Sequence, residues 1–142
     1  MSLESNERPL PNESFHQFLR RTRRFYQLIL ETWSSVEFNI DQLLTKQFGL
    51  HCDYNDNAVK FLVKSSFGRK LDFLKKVGVI SLEEFHVVRE FEEHRNHFFH
   101  TLGATTLFVM SEDEKDHTMD EAVRAAQLVF DILQRQSHAA LK

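Results

Sequence analysis

From Phe15 to Leu44, apolar residues recur at spacings of three and four: Phe15, Phe18, Phe25, Ile29, Trp33, Val36, Ile40, Leu43 and Leu44. This is the period of one buried helical face; a half-buried strand would alternate with period two. Ser14 with Gln17 three residues on forms a capping-box pair that starts the helix, and Gly49 is its expected end. With only 4 Gly and 2 Pro among 142 residues, the composition suits packed helices better than turn-rich sheets. The expected fold is all-α. It is a single-domain bundle of four to five helices, with long antiparallel core helices over residues 13–142 behind a polar lead-in at 1–12. Phenylalanine, at 14 copies, is expected to dominate the core.

Further along, the polar stretch His51–Asn57 reads as a loop, because Asp and Asn side chains compete for nearby backbone hydrogen bonds. A helical region over Ala58–Val77 follows, as one helix or as two broken near Ser65, Ser66 and Gly68, with Gly78 placed for a left-handed stop. Ser81 and Glu84 form another capping box, opening a helix from Leu82 to His100 or Leu102 that Gly103 ends. Ala104–Met110 is expected to be an extended connector and the acidic SEDEKDH run an exposed one. Thr118 and Glu121 are expected to cap a last helix bearing Ala122, Ala125, Val129, Ile132 and Leu133.

Composition narrows the function classes. The single cysteine, Cys52, excludes an internal disulfide framework and a cysteine-based zinc site. The N-terminus lacks a signal-peptide pattern, and no apolar run approaches the roughly 20 residues of a membrane helix. A cytoplasmic protein without membrane association is expected. Residues 1–76 carry 12 Lys/Arg against 9 Asp/Glu, whereas residues 77–142 carry 6 against 12, so the halves differ in sign. Arg20, Arg21, Arg23 and Arg24 supply much of the positive charge, either as phosphate contacts or as a solvated helix face.

The informative segment is Arg95-Asn96-His97-Phe98-Phe99-His100. On a helical wheel starting at Phe85, the residues Val88, Phe91, Phe98, Phe99 and Leu102 form an apolar stripe between roughly 220° and 320°, with Arg95 at about 280°, in its middle. A guanidinium cannot escape burial by losing its proton, so it needs an anion, several acceptors or a wet cleft. Glu37, about 40° from Trp33 on the first helix, is the expected protein partner. Asn96 and His100 share one flank, but Arg95 and His100 are separated by about 140°, which favours a site assembled from two such helices in a twofold dimer. His94, His97 and His100 form an H-x-x-H-x-x-H run, yet its outer members diverge by about 120° and neither HExxH nor clustered cysteines accompany it, so no metal site is expected.

The order Arg95-Asn96, three residues, His100 resembles the R-N-x-x-x-H form of the signature of the HEPN superfamily. The preceding segment Ser66 to Phe85, SFGRKLDFLKKVGVISLEEF, resembles the region before that motif in bacterial HEPN-like proteins, and the likeness spans about Val36 to Leu102. The resemblance implies a HEPN-like homodimer that brings two Arg/His motifs together. Its catalytic members are metal-independent endoribonucleases, here of toxin or defence type without a cofactor; others are non-catalytic nucleotide, RNA or protein-binding modules. In the catalytic case His100 would move protons, Arg95 would grip the phosphate, and Asn96 would orient His100 or the substrate, with Glu37, His97 and the four arginines supporting. A protein antitoxin or regulator is a further implied partner. The sequence departs from the family pattern at His94, where an aliphatic residue is common, and at Phe99, where a small one is frequent. It also has Leu102 where toxins paired with nucleotidyltransferases carry tyrosine.

Overall fold

The computed structural model describes residues 8–51, 64–100 and 111–140, with side chains for 8–47, 64–97 and 111–136. Five helices occupy them: α1 (Phe15–Arg21), α2 (Phe25–His51), α3 (Phe67–Lys76), α4 (Leu82–His100) and α5 (Glu112–Ala140), with no strand among the described residues. The all-α bundle expected from the periodicity is the fold observed. His51, expected to begin a loop, ends α2 instead; the rest of that expected loop at 52–57, the stretch 58–63, Gly103 and the connector Ala104–Met110 lie outside the described residues.

Local chemistry sets most helix ends. At α1 the capping box is complete: Gln17 N–H donates to Ser14 Oγ and Ser14 N–H to Gln17 Oε1, both at 3.0 Å. The expected single helix from Ser14 to Gly49 is instead two. The chain reverses through Thr22, Arg23 and Arg24, with Arg23 in the left-handed region at φ 57°. Arg24 N–H closes onto the Leu19 carbonyl, and Arg23 is drawn to Glu112 and Asp116 of α5. Phe18 and Phe25 are seven residues apart, so the break falls where the apolar period continues and conceals it. Gly49 does not end α2, which runs to His51. A glycine costs a helix only about 1 kcal/mol relative to alanine, too little to stop one held by a long buried face.

Ser66 caps α3, with Arg69 N–H donating to its Oγ at 3.4 Å, so this helix starts after the Ser65–Ser66 pair. Gly78 takes φ 81° at the turn, and the adjoining Val79 and Ile80 are buried. The Ser81–Glu84 box opens α4 as expected. At α5 the expectation fails: Ser111, not Thr118, accepts from Glu114 N–H, and most of the acidic run forms the first turns of the helix. Glu112, Asp113 and Glu114 suit that end because carboxylates stabilise the positive pole of the helix dipole. Thr118 instead donates to the Glu114 carbonyl within the helix.

The most extensive helix contact is between α2 and α5; α1 packs on both, α3 on α2 and α4, and α4 on α5. Glu84 meets Arg135 and His94 meets Glu121, so α4 is antiparallel to α5. Arg23 meets Glu112 and Asp116, so α2 and α5, the two longest helices, start at the same end and run parallel, where antiparallel core helices were expected. The core is built from Leu19, Leu28, Ile29, Val36, Ile40, Leu43, Leu71, Leu74 and Ile132, with Ala122, Ala125 and Ala126 on α5. Those alanines let α5 approach its neighbours closely, which phenylalanine could not. Among the described phenylalanines Phe18, Phe25 and Phe91 are buried, Phe67, Phe73 and Phe85 pack partly buried against the core, and Phe15, Phe38 and Phe130 are exposed, so among the described residues aliphatic side chains outnumber phenylalanine in the core.

Candidate functional site

The inward stripe of α4 begins with Val88 and Phe91, both buried, and reaches Arg95 one turn later. Arg95 is half-buried, as its place on the wheel requires. Its guanidinium carbon stands 4.6 Å from the centroid of the Trp33 ring, and Nη1 donates to Asn96 Oδ1 at 2.8 Å. A cation over an indole face gains roughly 0.5–2 kcal/mol, increasing as water is removed. The contact therefore gives the guanidinium an attractive partner within an apolar surface.

Glu37 does not fill that role. It is exposed on α2, and no ion pair joins it to Arg95 among the described residues. The reason is geometric: Trp33, Val36 and Ile40 turn inward, while Glu37 stands at the outer edge of that arc next to the exposed Phe38. Trp33 shares the inward face that suggested Glu37, but a search for a carboxylate passes over it.

Of the other motif residues, Asn96 is half-buried and touches Arg95, whereas His97 is exposed. His100 ends α4; its side chain and those of Phe98 and Phe99 lie outside the described residues. The structure joins Arg95 to Asn96, and on an ideal helix the His100 position lies about 140° round the axis from Arg95.

His94, a departure from the resembled family, ties α4 to α5. Its Nδ1 lies 2.5 Å from Glu121 Oε1, and His117 Nε2 lies 3.8 Å from the other carboxylate oxygen. Among the described residues no group of three or more His, Cys, Asp or Glu is arranged to hold a metal ion. Glu92, buried on α4 and paired with Arg89, was not singled out from the sequence, although its wheel position borders the apolar stripe.

The four arginines make no open basic patch. Arg20 pairs with Asp116 and Asp120, Arg23 with Glu112 and Asp116, and Arg21 with Glu13, while Arg24 lies 5.3 Å from the centroid of the Phe18 ring. The hydrogen bond from Arg21 holds the Glu13 carboxyl below its ordinary value, helped by the Leu10 N–H. A cleft of about 930 Å³ is an open groove beside these pairs, between α1, α2 and α5, and Arg95 does not line it.

The chain matches no family model, curated protein or solved structure. Any functional reading therefore rests on its own residues and on the motif they resemble. No helix among the described residues is long and apolar enough to cross a membrane.

Proposed function

We propose that this chain is a HEPN-like, metal-independent endoribonuclease of toxin or defence type, acting in the cytoplasm through a composite Arg/His site at a homodimer interface. The observation that carries the reading is the Arg95 guanidinium, half-buried over Trp33 and tethered to Asn96. Arginine stays charged and presents a planar fork that matches phosphate oxygens. Fixing it before substrate arrives reduces the reorganisation needed when charge develops on the phosphoryl group.

RNA supplies its own nucleophile. The 2′-oxygen forms a bond to the adjacent phosphorus as the bond to the 5′-oxygen breaks, leaving a cyclic phosphate. His100 takes the proton of the 2′-hydroxyl, and a protonated imidazole, such as the partner's, returns one to the leaving oxygen. An ordinary histidine pKa near 6.5 suits both tasks around neutrality. Because Arg95 and His100 diverge on one helix, the pair is assembled from two copies of α4.

A second reading, a non-catalytic nucleotide or RNA-binding or regulatory dimerisation module, is favoured by one observation: Arg20, Arg21 and Arg23 are already paired with carboxylates. Those pairs reduce the positive charge that backbone-driven RNA binding exploits. In either reading a protein antitoxin or regulator is a candidate partner. The deciding experiment incubates the protein and its His100→Ala variant with mixed RNA in chelator and examines product ends. Cyclic phosphates from the parent alone support the nuclease; no cleavage by either protein, with RNA binding retained, selects the second reading.

A further inference from the structure

Trp33 carries more than one unusual feature. It is 5% exposed in the core, and its indole Nε1 is buried with no hydrogen-bond partner among the described residues. An unsatisfied N–H disfavours burial, so phenylalanine would serve better were this side chain only filling space. Its ring is held edge-wise by Phe67, at a centroid separation of 4.7 Å, and by Phe91, at 5.8 Å. Three helices thus hold one aromatic face, and the Arg95 guanidinium lies against it. Among aromatic side chains indole gives the strongest cation–π contact, the property that distinguishes it from a phenyl ring here.

We infer that Trp33 is the positioning residue for Arg95, a platform clamped by Phe67 and Phe91 that sets where the guanidinium meets a phosphodiester. The inference rests on reading Arg95 as the phosphate-gripping group. Trp33 itself touches no substrate; it acts by restricting the Arg95 side chain, whose rotamer freedom would otherwise be lost on binding.

The test separates packing from positioning with Trp33→Phe and Trp33→Leu. Each variant is measured by urea unfolding and by anisotropy of a short fluorescein-labelled RNA of mixed sequence in chelator. Trp33→Phe removes the unsatisfied N–H and weakens the platform. Its urea midpoint is expected at or near that of the parent while RNA affinity falls about threefold to tenfold; Trp33→Leu is expected to lower affinity at least as far. Parental affinity in folded Trp33→Phe and Trp33→Leu overturns the inference.

A parent that binds no RNA would refute the proposed function, and the positioning claim is then read without ligand. The Arg95 Nε–H proton is expected upfield of other arginines because of the indole ring current, and to return to the ordinary position in Trp33→Leu. An unshifted Arg95 resonance in the parent protein would overturn the claim whatever the RNA result.

Discussion

An arginine in an apolar stripe can be retained for the fold or for a ligand, and the two cases respond oppositely to loss of its charge. Arg95 lies on Trp33 and bonds to Asn96. Arg95→Met keeps much of the aliphatic stem and removes the desolvation cost, so stability is expected to remain within about 1 kcal/mol of the parent or to rise. Urea unfolding measures this, and a loss of several kcal/mol would identify a structural cation. At His16, burial lowers the pKa, with Glu31 opposing in part. The neutral form is thus favoured in the fold. Stability is full above the ordinary value of 6.5 and falls with pH through the lowered folded value, as the unfolded chain takes up the proton first. Urea midpoints between pH 7.5 and 5.5 should show this loss, and His16→Gln should reduce it; equal slopes for both proteins would refute the assignment.

Among the elements, the α3–α4 turn depends on backbone geometry. Gly78 has φ 81°, and a Cβ there would meet nothing within 4 Å, so the cost of Gly78→Ala is conformational rather than steric crowding by neighbours. A loss of about 1–2 kcal/mol is expected by urea unfolding, and an unchanged midpoint would contradict the left-handed turn. This turn and the Ser14 and Ser81 boxes were legible because their donors and acceptors are three residues apart. The start of α5 was obscured by a competing Thr118–Glu121 pair that has the same spacing; the structure uses those residues elsewhere. The break after α1 had no glycine or proline to mark it, and the side-chain contacts that accompany it come from α5, about 90 residues away along the chain, where Glu112 and Asp116 pair with Arg23. At the candidate site, the position of Arg95 was readable from the wheel. Its partner was not, because a cation–π contact across helices leaves no fixed spacing in sequence.

For the whole molecule, helix geometry prevents one straight α4 from bringing Arg95 and His100 onto the same face. A working Arg/His centre is therefore expected to require a second subunit, and light scattering at working concentration should give twice the chain mass. A monomer that retains full activity would remove the composite site. Under the proposed function, Arg95 is the phosphate contact that the account assigns, while Arg20 and Arg23 are already paired with carboxylates. The most direct test is RNA anisotropy in chelator across a salt series, comparing the parent with Arg95→Met. The account expects about a tenfold loss of affinity and a salt dependence shallower by one to two phosphate contacts per dimer. Superimposable isotherms at every salt concentration would contradict it.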